Sequence, residues 1–158
     1  MAHSSSLQGQ LIQQLGETDQ QFLQQNSPEL ALQRGQIRLK LIQISKQKAE
    51  QLYFLQQTLV ILEQARLEFD EMPLSLYLDL SILLAQAYLV YFELSQQTRY
   101  ALIAQQILKP LAHHQSIEIY QVLIQAAHAQ QHNAMAQHWR KKRDALIQRV
   151  EPNVQLKS

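Results

Sequence analysis

The stretch PELALQRGQIRLKLIQISKQKAEQLYFLQQTLVILEQARLEFDEMP, residues 28–73, decides the fold. Within it Ile37, Leu41, Ile44, Lys48, Leu52, Leu55, Leu59 and Leu62 recur at intervals of three and four. That spacing draws one apolar stripe down a helix, where a strand would alternate every second residue. Only Lys48, inside the polar run Ser45-Lys46-Gln47-Lys48, interrupts it. Ser27 is placed to cap the helix start, with Pro28 at the first helical position. Pro73 ends the pattern, because it disfavours helix at Met72. Drawn as one straight rod, residues 28–71 would extend about 66 Å, whereas a domain of this size is roughly 40 Å across. The rod must therefore break near Gly35 or at residues 45–48, or overhang and pair with another chain. We expect a break near Gly35 or a modest overhang. A homodimer through the 28–71 helix, as a coiled-coil arm, is the sharper alternative.

Outward from this stretch the pattern stays helical. On the N-terminal side, residues 1–27 read as short helices. The first would be capped by Ser4 to Ser6 and ended by Gly16, the second opened by Thr18 and Gln21 as a capping box. On the C-terminal side, Ser75 to Glu93 is the most apolar segment, followed by Thr98 to Leu108 and a stop at Pro110. His113 to Ser116 form a loop with Ser116 as a cap. Segments 116–131 and 133–150 form a final helix pair, and 151–158 a tail. The fold class expected is all-α, with antiparallel helical hairpins at 75–109 and 116–149 inside a single domain spanning 28–150.

Composition narrows the function classes. The 158 residues carry 17% charge and a net charge of +1, so no global field favours nucleic acid or an anionic membrane. The 29 glutamines, interleaved with Leu and Ile, replace charged residues on solvated helix faces. The absence of cysteine removes disulfides, thiolate metal sites and cysteine nucleophiles. The first residues lack the basic and apolar regions of a secretory leader, so a cytoplasmic location is expected. The apolar 74–94 stretch carries Asp79, Gln86 and Glu93 and reads as a buried helix, with no membrane partner.

The last four helices look like two copies of one unit. Residues 83–89 read Leu-Leu-Ala-Gln-Ala-Tyr-Leu and residues 123–129 read Leu-Ile-Gln-Ala-Ala-His-Ala. Each is followed by a polar turn and a helix with small residues on one face, Ala101 and Ala104 in one and Ala134 and Ala136 in the other. Tyr120 and Leu123 sit three apart, a turn follows at Gln130 to Asn133, and Trp139 stands one turn beyond Ala136. The first unit offers Ala85, Ala87, Tyr88 and Ala101, with Pro110 near its close. Over residues 75–149 this resembles the tetratricopeptide repeat. It departs from that family in lacking the turn glycine, in a longer first turn, and in Arg140 and Arg143 where apolar or small residues are expected. The resemblance implies a helical stack with a groove that accepts a peptide or helix. A plain antiparallel bundle, with alanine marking close contacts, is the alternative reading of the same residues.

Candidate chemistry is sparse. No glycine-rich phosphate loop, nucleophile elbow or metalloprotease helix motif is present, so neither an enzyme nor a cofactor is expected. His128 and His132, four apart, and His138 are the weak metal candidates. Glu63, Glu68, Asp70 and Glu71 make an acidic run at the end of the 28–71 segment. Arg140, Lys141, Lys142, Arg143 and Arg149 beside Trp139, with Arg34, Arg38, Lys40, Lys46 and Lys48, offer a nucleic-acid alternative. The leading expectation is a non-enzymatic protein–protein interaction module, an adaptor or assembly factor. Its groove would be lined by Tyr88, Tyr91, Tyr100, Tyr120 and Trp139, the residue types that dominate binding hot spots.

Overall fold

Polar connections that redirect the chain every 11–23 residues give an all-helical fold. The computed structural model describes the backbone of residues 2–150 and side chains from residue 7 onward. Within these, α1 (Ala2–Gln24), α2 (Pro28–Ile44), α3 (Lys48–Glu68), α4 (Leu74–Ser95), α5 (Thr98–Leu108), α6 (Ile117–Ala129) and α7 (Asn133–Val150) follow one another. A 3₁₀ turn (Lys109–His114) precedes α6, and no strand occurs among the described residues. The tail expected at 151–158 lies outside them.

The segment 28–71 is two helices. The chain leaves the helical region at Ser45, whose N–H still donates to the Leu41 carbonyl at 2.9 Å. The Gln51 amide donates to the carbonyls of Ile42 (3.1 Å) and Ser45 (3.0 Å). It thereby satisfies groups that a helix end leaves bare. The break thus falls in the polar run and not at Gly35, and the 66 Å rod that suggested a dimer arm does not form. Gly35 is buried within α2 for another reason. A Cβ there would stand 3.0 Å from Leu62 Cδ2 and 3.1 Å from Leu83 Cδ2, so the glycine lets α2 approach α3 and α4 closely.

The N-terminal region is also corrected. Instead of short helices, α1 runs unbroken through Ser4 to Ser6 and Gly16. Thr18 opens nothing, and its hydroxyl donates back to the carbonyls of Gln14 (2.9 Å) and Leu15 (3.1 Å). Gly16 is solvent-exposed, and a mid-helix glycine costs only about 1 kcal/mol. Docking on α2, through Leu11 and Leu15 against Ile37 and Leu41, supplies what propensity lacks. Ser27 and Ser116 cap α2 and α6 as expected, accepting from the N–H of Leu30 (3.2 Å) and Ile119 (3.3 Å).

Helices pack on their chain neighbours, and α4 also touches α2 and α6. Two apolar clusters result. One joins Ala31 and Ile42 of α2, Leu55, Leu59 and Leu62 of α3, and Leu76, Leu80 and Leu84 of α4. The other joins Ile82, Ala85 and Leu89 of α4 to Ala101, Ala104 and Leu108 of α5, Ile119 and Leu123 of α6, and Trp139 of α7. Helix α4 is thus the spine shared by both. By length and composition it could cross a membrane, but here four helices pack against it.

Three chain reversals carry left-handed φ at glutamine, namely Gln96 (59°), Gln115 (56°) and Gln131 (60°). Such a residue ordinarily favours glycine. Replacing Gln96, whose N–H closes α4 onto the Phe92 carbonyl, with glycine should therefore raise stability by about 1 kcal/mol. A rise in the urea midpoint checks this.

Candidate functional site

The five aromatic groove candidates divide. Tyr120 and Trp139 are corrected to the core, each 5% exposed, their rings stacked with centroids 6.0 Å apart. The Tyr120 hydroxyl donates to the Ala112 carbonyl at 3.2 Å. The other three gather at the surface. Tyr91 stacks on Tyr100 at 3.8 Å, and the Tyr88 ring lies 6.4 Å from Tyr100, nearly parallel to it. The Arg99 guanidinium covers the Tyr100 ring at 4.8 Å.

Tyr88 also lines a cleft of about 350 Å³, where α3 and α5 flank α4. Tyr77, Leu84 and Tyr88 contribute from α4, Ile103 and Ile107 from α5, and Glu63, Arg66 and Leu67 from α3. Positions 77, 84, 88 and 91 repeat at sevens, fours and threes, so α4 presents one continuous stripe to this side. Leu67 stands at the rim, 80% exposed.

The two charges in the cleft are unequal. Glu63 accepts a hydrogen bond from the Tyr88 hydroxyl, and burial together with that carboxylate pushes the Tyr88 pKa well above its ordinary value. Tyr88 stays a donor and Glu63 is occupied. Arg66 donates through Nη2 to the Tyr77 hydroxyl at 3.1 Å and lies over that ring at 5.3 Å. Its buried Nε has no hydrogen-bond partner, and among the described residues it forms no ion pair. A buried donor without an acceptor costs about 1–3 kcal/mol; Nε itself is out of reach of solvent, but the guanidinium lines the cleft, where a carboxylate would meet its outer N–H groups. Sequence reading missed Arg66, Ile103 and Ile107, because only the meeting of three helices makes them neighbours.

The basic candidates are dispersed. Arg140 Nη2 lies 2.7 Å from His128 Nε2, Arg143 pairs with Asp144 at 3.1 Å, and Lys141, Lys142 and Arg149 are exposed around α7. Arg34 and Arg38 turn inward onto Asp19 at 2.7 and 2.8 Å. His132 and His138 are exposed, and no cluster of three or more His, Cys, Asp or Glu suited to a metal occurs among the described residues. Comparisons with protein-family models, curated proteins and solved structures returned no match to this chain.

Proposed function

We propose that the protein is a non-enzymatic interaction module that holds a peptide or helix in the cleft over α4. The observation that carries this reading is the Arg66 guanidinium, which lines the cleft with no ion-pair partner among the described residues, beside an apolar floor of Leu84, Ile103 and Ile107. Such a site suits a segment with a carboxylate one helical turn from an apolar side chain, laid in as a helix-in-groove ligand. The tyrosines continue the surface beyond the cleft, as adaptable contacts of low entropic cost.

The finer architecture belongs to the same proposal. We read α2–α3, α4–α5 and α6–α7 as three stacked pairs similar to tetratricopeptide repeats, with α1 closing the first. Support comes from the buried alanines of these pairs, Ala85, Ala101 and Ala104 in one and Ala126 and Ala136 in the other, all 0–1% exposed, although Ala134 is exposed. The first helices open at Pro28, Leu74 and Ile117, further apart than the roughly 34 residues of that family. The nucleic-acid alternative on α7 has less behind it, since Arg34 and Arg38 are engaged with Asp19 and Arg140 faces His128.

The test is a displayed helical-peptide library selected on the wild-type protein. Enriched peptides should carry the acidic–apolar pair. They should lose about tenfold or more in affinity to Arg66→Met, as expected for removal of one member of a charge pair, and bind Ile103→Asp undetectably. Peptides that bind both variants as tightly as wild type would overturn the proposal, as would failure to enrich any.

A further inference from the structure

The solvent side of α3 carries a second feature that the cleft does not use. Tyr53, Val60 and Leu67 are 59%, 53% and 80% exposed and fall exactly seven residues apart. Two heptad steps on a helix drift by only about 40°, so the three form one ridge about 21 Å long. Gln56, Gln64 and Glu63, also exposed, lie between them, Glu63 being engaged by the Tyr88 hydroxyl. Lone exposed apolar residues need no explanation, but three in one seam do.

The charges at the two ends of this ridge are opposite. Lys46 and Lys48 are exposed where α3 begins, and Glu68, Asp70 and Glu71 are exposed where it ends. Glu50 is half-buried, and Arg66 is turned into the cleft against Tyr77. The exposed charge at each end is thus of the sign that the helix dipole disfavours. A helix lying antiparallel, with the same sequence, would bring the opposite charge to both ends at once.

We propose that the occupant of this ridge is a second copy of the chain, paired antiparallel through α3 about a two-fold axis at Val60. Tyr53 then packs on Leu67 of the second copy, and Lys46 and Lys48 come beside its Glu68, Asp70 and Glu71. A parallel pair would set acid against acid. One helix pair is a small contact, so the dimer is weak, with Kd on the order of 10–100 µM. The pairing shares only Leu67 with the cleft, so either can fail without the other.

Because the chain contains no cysteine, single-cysteine variants report the geometry cleanly. Under mild oxidation Val60→Cys should form a covalent dimer. Tyr53→Cys alone should not, while a mixture of Tyr53→Cys and Leu67→Cys should. Sedimentation equilibrium should show the mass rising from 18.4 kDa towards twice that value between about 10 and 500 µM. Val60→Asp should hold it at one chain with an unchanged helical circular-dichroism spectrum. A single-chain mass at every concentration would overturn the proposal. So would self-cross-linking of Tyr53→Cys as efficient as that of Val60→Cys, the mark of parallel pairing.

Discussion

Valine in place of Gly35 should cost about 3 kcal/mol and lower Tm by about 6–12 °C. The first added atom already meets Leu62 Cδ2 at 3.0 Å, Leu62 Cγ at 3.3 Å and Leu83 Cδ2 at 3.1 Å. Leu62 is fully buried and has nowhere to turn. Alanine adds only that atom and recovers about 1 kcal/mol of helix propensity, so its net effect should be small. Valine adds two more methyl groups and drives α2 away from α3 and α4. The control is Gly16→Ala, where no atom lies within 4 Å of the new Cβ. That variant should gain about 0.5–1 kcal/mol. Thermal and urea unfolding of the three variants check the set.

Removing the Asp19 carboxylate should free α1. Arg38, 3% exposed, donates to Asp19 through both Nη atoms and to Gln57 of α3 through Nε at 3.0 Å. Arg34 donates to the same carboxylate and lies 4.0 Å from the centre of the Phe22 ring. Arg38 therefore ties Asp19 of α1 to Gln57 of α3. Breaking a buried pair costs about 3–5 kcal/mol, less here because the Asp19 side chain is about a third exposed and water screens it. We expect about 2 kcal/mol for Asp19→Ala, taken up mainly by α1 lifting so that Arg38 regains water. Amide exchange should therefore accelerate about 30-fold across α1, with little change in α4 and α6.

Burial of Asp19 acts to raise its pKa, but the hydrogen bonds and charges of Arg38 and Arg34 outweigh it, and the pKa falls below the ordinary 3.8. A lowered carboxylate pKa stabilises the fold fully above the ordinary value. The stabilisation is lost as pH drops through the folded value. The gap between wild type and Asp19→Asn should thus be constant near neutrality and close below about pH 4. A gap that widens in acid would contradict this.

The sequence made the helical stripe plain, and with it the all-helical class. Ser27-Pro28 and Ser116 also announced their helix starts, because capping chemistry is local. The break at Ser45–Gln47 was harder to place, since neither proline nor glycine marks it and Gln51 caps it from six residues ahead. Gly35 and Gly16 misled for one reason. Glycine signals a turn and a close helix approach in the same way, and an exposed glycine can also ride inside a helix. The site was half legible. Tyr88, Tyr91 and Tyr100 stand out as aromatics on helices, but their spacing does not separate them from Tyr120 and Trp139, which serve the core. Arg66 carried no signal, because its missing acceptor exists only once α3 lies against α4.

The most direct measurement of the central claim is a methyl NMR titration of the wild-type protein with a cleft-selected peptide. The account predicts shift changes concentrated at Leu67, Leu84, Ile103 and Ile107, with Ile42, Ile119 and Leu123 still. Changes centred on α7, or on the α1–α2 contact around Ile37 and Leu41, would contradict it.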